Sequence, residues 1–84
     1  MKHLVRGAES KARILLLLEF TNISSEPQIK AVNDYLCEGL SLERSSERNV
    51  VEKQNLNRAL SILDNKARIY EALKEEEGVY KSVK

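Results

Sequence analysis

Tryptophan is missing from these 84 residues, and cysteine, proline, methionine and phenylalanine each occur once. Glycine occurs three times and histidine once. Each scarcity closes a door. Cys37, being alone, forms no internal disulfide, which makes a reducing cytoplasm the expected compartment. It also has no neighbouring histidine or second cysteine with which to hold a metal or act as a nucleophile, so it reads as a small core residue. With so few glycines there is no phosphate-cradling loop. His3 sits near the chain start, away from any acid or base partner in sequence. The run Ile14-Leu15-Leu16-Leu17-Leu18 is far short of the roughly 20 apolar residues that cross a bilayer. It is also shorter than the roughly 7–15 residues of a signal-peptide core. No membrane partner is expected. Runs of β-branched residues bounded by turns are absent, and a sheet would need them. Catalysis, cofactor binding and metal binding therefore have no visible carrier, and Glu75-Glu76-Glu77 reads as a solvated face.

What remains is helical. Charged residues make up 32% of the chain and aromatics 5%, with a net charge of +1. This length supports one domain spanning 1–84, small enough that a partner subunit would help it. Positive charge gathers at the start, where Lys2, Arg6, Lys11 and Arg13 face only Glu9. Residues 1–7 read as a flexible arm, and its basic cluster could reach a phosphate or a minor groove. Residues 8–20 read as a first helix. Five consecutive apolar side chains go all the way round it. At least one leucine must therefore look away from the chain's own core, and a subunit interface is its natural destination.

Ser25-Glu26-Pro27-Gln28 has the form of a capping box, opening a second helix over 26–38. That helix lines up Ile29, Val32, Leu36 and Leu40, and Gly39 ends it. Ser41 can cap a short helix over 41–48, with Asn49 tolerating the positive φ needed to leave it. Val50 and Val51 turn a corner, Val51 plugging the angle. A further helix over 52–63 turns Leu56, Ala59, Leu60 and Leu63 inward. Asp64-Asn65 either breaks it before a C-terminal helix at 66–77 or is passed over, since Ala67, Tyr70 and Leu73 continue the stripe. Glu75-Glu76-Glu77-Gly78 reads as a helix end and the tail to Lys84 as frayed. The fold class is thus all-α, with four to five helices.

The spacing over 41–63 is that of a helix-turn-helix, whose second short helix enters the groove of a duplex. On its outer face lie Gln54, Asn57, Arg58 and Ser61, spaced i, i+3, i+4, i+7. Paired amides can match an adenine edge, and a guanidinium can fork onto guanine or a phosphate. Lys53, with Arg44 and Arg48 on the preceding helix, supplies cations for the backbone. Glu52 brings negative charge to the same place. The low net charge implies weak binding by one copy, which several copies side by side would offset.

The stretch from about Leu18 to Leu73 resembles the PapB family, regulators of adhesin operons. The resemblance rests on Ile23-Ser24-Ser25, on Ile29-Lys30-Ala31-Val32-Asn33-Asp34-Tyr35-Leu36 with Glu38-Gly39, on Glu47-Arg48 and Val51, and on Leu56, Leu60 and Leu63. It implies a cytoplasmic transcription regulator of fimbrial genes, a homo-oligomer spreading over adjacent sites in AT-rich double-stranded DNA. The chain departs from that pattern at four places. Leu42 stands for an arginine, Ser46 for a cysteine and Val50 for a glycine. Glu52-Lys53-Gln54-Asn55-Leu56 stands for Asn-Asn-Gly-Tyr-Phe. These departures open an alternative, an interaction module that associates with a related DNA-binding regulator without reading DNA itself.

Overall fold

The computed structural model describes residues 1–83, with side chains to Glu77. Four helices account for the regular structure: α1 Lys11–Leu18, α2 Glu26–Leu36, α3 Leu42–Asn49 and α4 Lys53–Val83. There is no strand among the described residues. α2, α3 and the first turns of α4 pack against one another, and α1 lies across α4.

α1 is shorter than the 8–20 read from its composition. Gly7 adopts φ +74, and the N–H of Ala8 bonds the Val5 carbonyl, so the chain is still turning there. Ser10 then caps the helix, its hydroxyl accepting from the Arg13 N–H at 3.1 Å. At the far end Glu19, Phe20 and Thr21 bond carbonyls three residues back, which tightens the last turn and closes the helix.

α2 begins where the capping box was read, but the box does not form. Ser25 makes no side-chain cap bond. Instead of reaching back, the Gln28 amide donates to the Asn55 carbonyl at 3.1 Å and ties α2 to α4. Pro27 sits in the first turn, where a missing N–H costs nothing. Gly39 leaves the helix at φ +80, as read, and it lies against Gly7. A Cβ on Gly7 would fall 3.1 Å from the Gly39 Cα, so the two backbones cross where only glycine fits.

α3 is capped as expected, Ser41 accepting from the Arg44 N–H at 3.1 Å. Its buried residues are Ser45 and Ser46, which let α3 lie close to its neighbours. The Ser46 hydroxyl donates to the Glu43 carbonyl, while the Ser45 hydroxyl is buried without a partner among the described residues. Asn49 does not take the positive φ. It stays helical and donates its side-chain amide to Asp34 and to the Ser45 carbonyl, which fastens α3 to α2.

Asp64-Asn65 does not interrupt the last helix. α4 runs unbroken through the positions read as 52–63 and 66–77 and past the acidic run to Val83. Asp and Asn are poor helix formers by only fractions of a kcal/mol each, too little to break a helix pinned by buried Leu60 and Leu63 before the pair and buried Ala67 after it. Lys84 and its expected fraying lie outside the described residues.

The arm reading of 1–7 is also corrected. Leu4 is 2% exposed and belongs to the core with Ile14, Leu17, Leu36, Leu56 and Leu63. The Asp64 carboxylate holds it there, accepting the N–H groups of Lys2, His3 and Leu4 at 3.2, 2.8 and 2.9 Å. Further along, the N–H of Gly7 bonds the Tyr35 carbonyl and that of Glu9 the Leu36 carbonyl. A buried leucine and five backbone bonds dock the segment.

Candidate nucleic-acid interface

The corner between α3 and α4 is three residues long. Val50 takes the left-handed conformation, φ 54 and ψ 50, with its side chain 92% exposed. A β-branched residue is strained there. The conformation lets the N–H of Val51 reach the Ser46 carbonyl at 2.9 Å and that of Val50 the Glu47 carbonyl, closing α3. Val51 turns inward and packs against the core, as its place in the sequence suggests. α4 then starts at Lys53, and the Leu56 N–H bonds the Glu52 carbonyl.

From that start α4 divides cleanly. Leu56, Ala59, Leu60 and Leu63 are buried. Gln54, Asn57, Arg58 and Ser61 are all exposed, on one outer face of the same turns. None of these four side chains hydrogen-bonds to another part of the chain among the described residues, which leaves their donors and acceptors facing solvent. The amides, guanidinium and hydroxyl thus form a ridge about two turns long on a single helix, an element that a major groove admits.

The cations nearby are less free. Lys53 Nζ lies 3.2 Å from Glu43 Oε1, and Arg48 Nε lies 3.9 Å from Asp34 Oδ2. Both basic side chains are exposed, so these pairs are weak and a phosphate can compete for them. Arg44 is exposed one turn before Arg48 on α3. Glu52 is exposed beside the start of the ridge, where it opposes an approaching phosphate.

The N-terminal basic cluster is not a free arm that can thread into a groove. Arg6 donates to the Gly39 carbonyl at 3.0 Å and lies 5.9 Å from the centroid of the Tyr35 ring. Arg13 pairs with Glu9 at 3.0 Å and with Glu71, and Lys11 with Glu38. His3 is not a solvated tail residue either, its Nδ1 standing 3.0 Å from Glu71 Oε2.

Asp64, half of the pair at which the pattern allows either a break or a continuous helix, turns out to organise this end of the molecule. Burial alone would raise its pKa, but the backbone N–H groups of His3, Lys2 and Leu4 outweigh burial and hold the carboxyl below the ordinary aspartate value. Its position beside Leu63, on the rim of the buried stripe, is the signal that could have marked it as a capping group. Cys37 behaves oppositely. Burial first, and then Glu38, push its thiol above the ordinary value although Lys11 pulls it down, which keeps it protonated and unreactive.

Among the described residues no group of three or more His, Cys, Asp or Glu side chains is placed to hold a metal ion, and no helix is long and apolar enough to cross a membrane. Compared with known proteins, the chain matches no family model, no curated protein and no solved structure.

Proposed function

We propose that this chain is a DNA-binding transcription regulator, acting as an oligomer on AT-rich double-stranded DNA through a helix-turn-helix formed by α3 and the first turns of α4. The observation that carries the reading is the uncovered ridge of Gln54, Asn57, Arg58 and Ser61. It is presented by a helix whose opposite face is buried and whose start is braced by a second helix through a tight corner. Arg44, Arg48 and Lys53 flank that ridge and serve as phosphate contacts. The resemblance to the PapB family adds the setting, a cytoplasmic regulator of fimbrial or adhesin genes. The reading assigns the chain no catalysis and no cofactor.

Titration of the full chain into an AT-rich duplex, read by fluorescence anisotropy at several salt concentrations, tests it. Phosphate neutralisation makes affinity fall steeply with added salt. Arg58→Ala should weaken binding by about 1–3 kcal/mol and relax sequence preference if the guanidinium reads a base. Equal binding by the variant removes that contact.

A second reading has its own support. Glu52 beside the ridge, Leu42 on the face of α3, and the engagement of Lys53 and Arg48 by Glu43 and Asp34 all subtract from a DNA surface. In that reading the chain associates with a related regulator and leaves DNA contact to it. No binding to duplex even at low salt, together with co-elution with such a partner, would favour this reading.

A further inference from the structure

The richest unexplained feature lies away from the ridge, where α1 crosses the second half of α4. Leu16 is 61% exposed, Phe20 71% and Leu73 57%, with Ile69 and Tyr70 beside them. Together they line two adjoining grooves, the larger about 760 Å³, that share Phe20 and Tyr70. Exposed leucine and phenylalanine gathered in one strip are costly in water and mark a surface that is covered in use.

The pattern along α4 says by what. Ile62, Lys66, Ile69 and Leu73 are spaced four, three and four residues apart, and Glu76 follows after three more. This is the seam of a coiled coil, apolar at its centre and carrying a lysine at one end and a glutamate at the other. In a parallel pair Lys66 would face lysine and Glu76 glutamate. In an antiparallel pair with its two-fold axis at Glu71, Ile69 meets Leu73 and Lys66 meets Glu76, while Tyr70 lies opposite Ala72. Both of these layers are then complementary, apolar against apolar and cation against carboxylate. The seam is self-complementary only in this orientation.

We infer that the occupant of this face is a second copy of the same chain, seated antiparallel on α4 so that α1 and α4 of both copies form a four-helix arrangement around Leu16, Phe20, Ile69 and Leu73. The inference rests on the oligomeric part of the proposed function and is independent of its DNA part. At 1.5 Å per residue, it sets the two polar ridges roughly 40 Å apart along the helix axis, near the one-turn spacing of duplex half-sites.

Sedimentation velocity on the full chain without DNA, across a micromolar concentration series, tests it. The wild-type chain should sediment as a dimer. Leu73→Glu should give a monomer with unchanged helical circular dichroism. Lys66→Glu should weaken the dimer by about tenfold or more, by setting carboxylates against each other. Adding Glu76→Lys to Lys66→Glu should restore it, because the swapped charges meet again. A wild-type chain that stays monomeric, a dimer indifferent to Leu73→Glu, or a double swap that fails to restore association each overturns the inference. Because no DNA is present, a dimer that ignores DNA and a monomer that binds it count against different claims.

Discussion

The two halves of α4 carry a similar hydrophobic repeat and meet opposite fates. From Lys53 to Ala67 every apolar position of the inward stripe is buried, and what remains outside is polar apart from Ile62, at 37% exposure. From Arg68 onward the apolar positions Ile69, Tyr70 and Leu73 are exposed, because only α1 reaches that far and its own Leu16 and Phe20 stand open as well. One helix thus offers a hydrogen-bonding surface at one end and an adhesive one at the other. The difference lies in what packs alongside. α2 and α3 end near the first half, so the second half is left to find a covering from outside the chain.

The sharpest way to break this comparison is to cut the same residue type in each half. Leu56→Ala, in the buried half, should lower unfolding stability by about 2–5 kcal/mol, since it opens a cavity in the core. Leu73→Ala should change it by no more than about 0.5 kcal/mol where the chain is dilute enough to be monomeric, and by progressively more as concentration rises, because association adds to apparent stability. Chemical denaturation at two protein concentrations measures both. Equal effects at low concentration would mean that the halves do not differ as described.

Asp64 stands at the boundary, and its removal is the next largest effect. Asp64→Ala frees three backbone N–H groups and loosens Leu4, which should lower stability by about 1–2 kcal/mol. The folded carboxyl titrates below its ordinary value, so its contribution is complete at neutral pH and disappears as pH falls through that lowered value. The gap between wild type and Asp64→Ala should accordingly be constant near neutrality and close in acid, as pH-dependent denaturation would register.

Smallest is the corner that leads into the buried half. Val50→Gly relieves a β-branched residue held at φ 54 and gives up little packing, the side chain being almost wholly exposed. Offset by the greater freedom of an unfolded glycine, the net gain should be about 0.5–1 kcal/mol, seen as a raised melting temperature. A lowered one would mean that the valine side chain has a role at the corner that its exposure hides.

Much of this architecture is legible in the order of residues because local signals coincide. Ser41 caps α3, Gly39 ends α2, and Leu56, Ala59, Leu60 and Leu63 face inward by simple periodicity. The outward ridge follows from the same periodicity by subtraction. The failures share one cause, which is distance along the chain. Gln28 is spent on Asn55 rather than on its own helix end, and Asn49 on Asp34. Asp64 reads locally as a break or a pass-over point, until the N–H groups of Lys2, His3 and Leu4 are brought to it from 60 to 62 residues away. A short polar prefix carrying one leucine has the composition of a loose end, and only the folded chain supplies the hole that Leu4 fills.

That docking has a bearing on how the molecule is made. The segment ahead of α1 is anchored by a carboxylate some 60 residues further on, so Leu4 has no pocket until the chain through Asp64 has been made. Closing so wide a loop comes late and slowly compared with the pairing of α2, α3 and the start of α4, which are neighbours in sequence. The nascent protein therefore completes its polar ridge before it secures the segment ahead of α1.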